Sequence, residues 1–331
     1  MNSQSSAAVS AVGARRGATV SDHAPRLLPA AFVAVLAIIW FSTLGLRALI
    51  NPDEGRYATL SLAMLQTGDW VTPRLNGLLY FEKPALQYWI GALAFKLLGV
   101  SEFSARVWPA LAALLTTVAV GFTGARLWGR ETGVRALAIC GSMTWIMGNG
   151  LYLTLDSGLA LWLTLTLCAM LLAHRPGLSA SVERRWILVA WASMALAVLT
   201  KGLVGIVIPG AVLVLLCLWQ RDATWWRGMH WVSGLLLFFA IAAPWFVVVS
   251  WRNPAFAEFF FIHEHFARYL TKVHHREGAW WYYVPMLLAG ALPWTGALPW
   301  AGGRARVVPA DAGGGGTAAE GARALAREPA L

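Results

Sequence analysis

Charged side chains are scarce in this sequence. Asp, Glu, Lys and Arg together make up 13% of its 331 residues, about half the share found in soluble domains. So few charges cannot clothe a soluble surface around a chain of this length. Cysteine is also rare. Cys140, Cys168 and Cys217 each lie inside an apolar run with no CxxC spacing, which excludes a disulfide framework and a thiolate metal site and leaves three small core residues. The basic residues, although they bring the net charge to +10, do not cluster with polar or stacking side chains. Nucleic acid is therefore not the partner. No internal repeat is visible. What the sequence has in abundance is apolar: 58% hydrophobic residues, 19 Trp and a mean hydropathy of +0.59. These describe a protein embedded in a bilayer, with membrane lipids as its first partners.

A spanning helix needs about 20 mostly apolar residues. Eight runs qualify or nearly qualify: 27–50, 107–126, 132–151, 157–174, 186–200, 203–219, 231–251 and 284–300. The fifth and sixth almost meet at "LTKGLVG", a tight hairpin with Lys201 at its tip. Three segments follow: a polar cytoplasmic tail over 1–26, a transmembrane domain over 27–300, and a Gly/Ala/Arg-rich tail over 301–331 expected to be disordered. The first run lacks a convincing cleavage site and reads as an uncleaved helix.

Arginine distribution orients the chain. With Arg15, Arg16 and Arg26 in the cytoplasm, the short loops holding Arg126, Arg130 and Arg135, then Arg175, Arg184 and Arg185, then Arg221 and Arg227 also fall inside, as the positive-inside rule requires. Two long loops, 51–106 and 252–283, fall outside. The first is aromatic and amphipathic, so it is expected to lie along the interface; the second ends in the aromatic belt "WWYY". Asp53, Glu54, Arg56, Glu82, Lys83, Asp156, Lys201, Glu264, His265 and Arg268 all lie on that external face.

Each polar group has a bland reading beside its chemical one. Asp53 and Glu54 open "PDEGRYATL", where acids at a helix N-terminus complement its dipole. Pro84 holds Lys83 extended, so Glu82 and Lys83 sit on an ordered turn. Asp156 is a lone acid between two apolar spans, costly without a partner, and Arg56 and Lys201 are the nearby external cations. Glu264 and Arg268 are spaced for an i,i+4 pair. His263 and His265 point to different faces of a helix, so at most one joins a given site.

Taken in order, "NPDEGRYA", "GDWVTPRLNGLLYFEKPALQYW", "YLTLDSGLALW", "LTKGLVG" and "FFFIHEHFARYL" resemble the bacterial polyprenyl-phosphate-dependent glycosyltransferases of the 4-amino-4-deoxy-L-arabinose lipid A transferase type, relatives of the protein O-mannosyltransferases. The resemblance covers about residues 30–300. It implies an all-α integral membrane fold of GT-C type, a multi-helix bundle with amphipathic helices in the first external loop. It also implies transfer of an aminoarabinose-like pentose or a hexose from a polyprenyl-phosphate donor to lipid A, another glycan or protein, at the periplasmic face of the bacterial inner membrane. Carried over by motif, Asp53 is the catalytic acid and Asp156 joins Arg56 and Lys201 in the cluster that positions its loop. Lys83 and Arg268 face the donor phosphate. Glu82 with His263 or His265 would hold one divalent metal ion. Asp53 acts as a base toward a hydroxyl acceptor, or as an orienting group toward an ionised phosphate.

Family members continue through further spans into an external domain where this chain has its Gly/Arg tail. The competing expectations are therefore a truncated, inactive homologue and a secondary transporter. A transporter would place its ionisable groups near the bilayer midplane in repeated broken helices, which this pattern does not do.

Overall fold

A computed structural model describes residues 27–267, 279 and 281–298, with backbone alone for 27, 28 and 265–267. It is a helical bundle, with a single two-stranded hairpin as the sheet among the described residues. The first apolar run is helical over α1 (Leu27–Thr43) and then unwinds before α2 (Asp53–Thr67). Asp53 and Glu54 occupy the first turn of α2, and Gly68, left-handed at φ 71°, closes it. A Cβ would strain that conformation. The hairpin pairs β1 (Arg74–Leu75) with β2 (Leu78–Leu79). Beyond the bends at Glu82 and Lys83 comes α3 (Leu86–Leu98).

Long helices follow. Ser101 caps α4 (Glu102–Trp128) through a reciprocal box with Ser104, satisfying donors that a helix start leaves bare. Gly129 turns the chain into α5 (Arg130–Ser142), which stops where Met143 becomes extended, and α6 (Thr144–Gly150) resumes. α7 (Asp156–Ala173) and α8 (Ala180–Lys201) form an antiparallel pair, followed by α9 (Val204–Gln220), the short α10 (Thr224–Arg227) and α11 (Trp231–Arg252). α12 (Ala255–Ala257) runs into a π-helical stretch, Glu258–Ala267; α13 (Tyr283–Gly290) comes last.

The expected third run is therefore two pieces, and the eighth is helical for only part of its length. The fifth is longer than its apolar core, because α8 begins on Glu183, Arg184 and Arg185 before turning apolar. Among the described residues α4, α7 and α11 are both long and apolar enough to cross a membrane. Pro109, Pro209 and Pro244 sit inside helices, as lipid-embedded helices tolerate when neighbours re-satisfy the backbone.

The core lies where α8 packs between α7 and α11 and meets the external loop from below. Ile187, Ala190, Ala195 and Val249 are fully enclosed with Tyr88 and Phe256. The outer faces of α9 and α11 are apolar yet open, with Trp219 at 88% and Trp251 at 86% exposure. That inverts a soluble surface and is the pattern of helices facing lipid.

Candidate active site

The two acids that open α2 part company at once. Glu54 is fully buried and receives six hydrogen bonds. Arg106 Nε donates to Oε1 at 2.8 Å and Nη2 to Oε2 at 2.9 Å. Arg47 adds Nη1 to Oε2 at 2.5 Å and Nη2 to Oε1 at 3.1 Å. The backbone N–H groups of Ile50 and Leu153 complete the set, each at 2.9 Å. Burial alone would raise this carboxyl's pKa. The bonds from Arg106, Arg47, Ile50 and Leu153 outweigh it and hold the pKa at about 2, below its ordinary 4.5.

Arg106, equally buried, spends its remaining donors on the carbonyls of Leu44, Arg47 and Ala48 at 2.7–2.9 Å. Arg47 also donates to the Leu151 carbonyl at 2.7 Å. One carboxylate thus ties together the exit of α1, the entry of α2, the first turns of α4 and the bent stretch before α7. None of these three residues was assigned a site role from the sequence. The signal was present in Arg106, a charge inside the apolar string "FSARVWPA", since a cation at such a place requires a partner.

Asp53, held beside this knot, stays half exposed and turns to Arg56, whose Nη2 lies 3.6 Å from Oδ1. Beside Arg56 stands Tyr80; against the lowering by burial, its hydroxyl raises the Arg56 pKa, and Tyr80 donates to Glu82 Oε2 at 3.1 Å. Lys83 Nζ reaches the Glu82 carbonyl at 2.7 Å and Glu264 Oε2 at 3.3 Å. A polar line therefore runs from Asp53 through Arg56, Tyr80 and Glu82 to Lys83 and Glu264. It draws on α2, the hairpin, the Glu82–Lys83 bends and the π-helix.

Three tyrosines back it: Tyr88 stacks on Tyr57 and meets Tyr80 edge-on, each at 6.4 Å between ring centres. Burial pushes the Tyr57 phenol up to about 12, against the pull of Arg56 and with Asp53, Asp156 and Glu82 adding to the rise. Tyr80 and Tyr88 shift the same way, burial again leading. All three are neutral near pH 7; Tyr80 donates to Glu82, while the buried Tyr88 hydroxyl has no hydrogen-bond partner among the described residues.

Asp156 sits in the first turn of α7 and pairs directly with Lys201 in the last turn of α8. The expected Lys201 partner is thus correct, while Arg56 is committed to Asp53 and Tyr80. Each charge also complements the helix end that carries it. Glu264 is buried against Lys83. The i,i+4 partner expected for it, Arg268, lies outside the described residues, as does the His265 side chain. His263 packs its ring 5.3 Å from Phe259. Among the described residues no three His, Cys, Asp or Glu side chains gather as a metal site would need. The donor set that can be seen, Glu82 with Tyr80 and Glu264 with Lys83, is that of a polar network.

A family model, dolichyl-phosphate-mannose-protein mannosyltransferase, matches residues 27–260. The chain belongs to this family. The match contains Asp53, Arg56, Glu82, Lys83, Asp156 and Lys201. Among sequence relatives, the undecaprenyl phosphate-alpha-4-amino-4-deoxy-L-arabinose arabinosyl transferase of Erwinia tasmaniensis is 34% identical over 268 residues, 80% of this chain and 48% of its own. That of Pseudomonas paraeruginosa is 35% identical over 251 residues, 74% of this chain and 44% of its own.

Two crystal structures of ArnT from Cupriavidus metallidurans superpose on 84% of this chain and 51% of theirs. The apo form gives a TM-score of 0.76 at 41% identity, and the form bound to undecaprenyl phosphate gives 0.79 at 40%. The chain thus spans about half the length of the relatives it matches. Its architecture is that of the GT-C membrane glycosyltransferases, as the motif resemblance implied.

Proposed function

We propose that the protein transfers 4-amino-4-deoxy-L-arabinose, or a closely similar sugar, from an undecaprenyl-phosphate carrier to lipid A at the periplasmic face of the bacterial inner membrane. The observation that carries this reading is the gathering of Asp53, Arg56, Glu82 and Lys83 along one polar line of ion pairs and hydrogen bonds at the membrane-side loop. The named relatives support it, and the family match over 27–260 includes all four positions.

In the reaction an acceptor oxygen forms a bond to the sugar's anomeric carbon as the carbon–oxygen bond to the carrier phosphate breaks. The bonding pair leaves on that phosphate oxygen. The lysine charge at position 83, fixed by the Glu82 carbonyl and Glu264, meets the developing negative charge in a site with little water. Asp53 faces the acceptor. Toward a lipid A phosphate, which has no proton to lose, it orients the nucleophile; toward a hydroxyl it would take the proton. Asp156 and Lys201 hold the ends of α7 and α8 together beneath the α2 loop. Arg268 is assigned to the donor phosphate. Glu82 and one of His263 and His265 would hold a divalent ion, were one bound, and no step above passes through it. Residues 27–300 form the membrane domain in this reading, and 1–26 and 301–331 its two tails.

The test is transfer in membranes supplied with undecaprenyl-phosphate aminoarabinose and lipid A, read as the mass increase of lipid A. Asp53→Asn at equal abundance is expected to lower the rate by about a hundredfold or more, and Lys83→Ala to raise the donor KM. Transfer by Asp53→Asn at the parent rate would remove Asp53 from the chemistry.

A further inference from the structure

At the end of the bundle opposite the site lies a second polar feature. The seventeen residue-to-residue steps of α8 from Arg184 to Lys201, at about 1.5 Å each, set the two roughly 25 Å apart along the helix. That is close to the thickness of a bilayer's hydrocarbon layer. At the Arg184 end an open groove of about 510 Å³ runs between α8 and the start of α11, lined by Arg184, His230, Trp231, Val232, Ser233 and Leu236. Its two ends differ in kind. Arg184 and Ser233 mark the polar end, whereas Val232 and Leu236 are 78% and 68% exposed on the lipid-facing side.

The groove is fixed in shape. Gly234 presses on the Trp191 indole so closely that a Cβ would stand 2.0 Å from Nε1. Trp191 Nε1 donates to the Met229 carbonyl at 2.8 Å. His230 is held left-handed at φ 47°, an uncommon state for a residue with a Cβ, where it leads into α11. Its charges are divided unevenly. Glu183 faces His230 at 3.8 Å, while Arg184 has no hydrogen bond or ion pair among the described residues. The first turn of α11, which supplies Trp231, Val232 and Ser233 to the groove, has no side-chain cap, and bare N–H groups at a helix start favour an anion.

We propose that this groove binds one anionic phospholipid of the leaflet facing Arg184, which the arginine distribution assigns to the cytoplasm. Its phosphate sits against Arg184, Ser233 and the α11 N-terminus, and an acyl chain lies along Val232 and Leu236. A free phosphate would use the polar end alone and leave the apolar wall exposed to lipid; an amphiphile uses both. A cation at the headgroup level with its stem over apolar surface is the common arrangement for such a contact.

The test titrates the purified full chain in detergent with phosphatidylglycerol and, separately, with phosphatidylcholine of the same acyl chains, counting bound lipid by native mass spectrometry. One phosphatidylglycerol is expected to be retained in preference to phosphatidylcholine. Arg184→Gln should weaken it at least about fivefold, as removal of one charge-assisted hydrogen bond does, and Ser233→Ala by less. Arg221→Gln, at the same end but outside the groove, should leave binding unchanged. Equal retention of both lipids, unchanged binding by Arg184→Gln, or displacement by excess inorganic phosphate would each overturn the assignment.

Discussion

Two adjacent carboxylates, Asp53 and Glu54, carry opposite duties. Glu54 is enclosed with Arg106 and saturated with donors, whereas Asp53 keeps half its surface open and one loose partner. Glu54→Gln leaves Arg106 buried beside a neutral amide, and breaking such a pair costs about 3–5 kcal/mol. Thermal unfolding in detergent should show that loss, alongside little change for Asp53→Asn. The same knot sets an acid limit. Because folding lowers the Glu54 pKa from 4.5 to about 2, its contribution is complete above about pH 4.5. It then disappears as pH falls toward 2, so an unfolding series through that window should steepen in the parent and flatten in Glu54→Gln. Asp53, Lys83, Asp156 and Lys201 were legible in the sequence because each interrupts apolar text. Arg47 and Arg106 were not assigned, because their partner is 7 and 52 residues away and only the folded chain brings them to it. The tyrosines at 57, 80 and 88 were hidden by type: aromatics in a Trp-rich membrane protein carry no signal of their own.

Helix positions were readable from hydropathy, but their ends were set by local backbone. Apolar text continues through Met143, yet the chain is extended there and α5 gives way to α6. At α8 the reverse holds, since its charged first turns are helical although hydropathy begins later. α4 and α5, joined by Gly129, pack backbone close to backbone. A Cβ on Gly133 would lie 2.4 Å from Ala125 Cβ, 2.7 Å from the Ala125 nitrogen and 2.7 Å from the Gly121 carbonyl. Two of those three atoms are backbone and cannot rotate away. Gly133→Ala should therefore wedge the hairpin open and cost about 1–3 kcal/mol, read as a lower unfolding temperature. A glycine facing open space, Gly148, should accept alanine with little effect.

α7 and α8 run the length of the bundle, with Asp156 and Lys201 at one limit and Arg175, just past α7, and Arg184 and Arg185, in the first turns of α8, at the other. The two ends should be distinguishable by an impermeant thiol reagent. In a background lacking Cys140, Cys168 and Cys217, Leu78→Cys on the exposed hairpin is expected to label in intact cells after outer-membrane permeabilisation. Asp222→Cys, between α9 and α10, should label only once the inner membrane is opened. The reverse pattern would invert the orientation that the arginines indicate and move the polar line to the cytoplasm.

The Glu54 knot also bears on how the protein is made. Arg47 leaves the ribosome just before Glu54, but Arg106 follows 52 residues later and the Leu153 amide 99 residues later. At about 5–20 residues per second, the carboxylate waits roughly 5 to 20 seconds for its last donor. Throughout that interval α1 and α2 are inserted but unlatched, with a charge awaiting its match. Only after residue 153 has been made can the loop that carries Asp53 be held by all of the knot's donors.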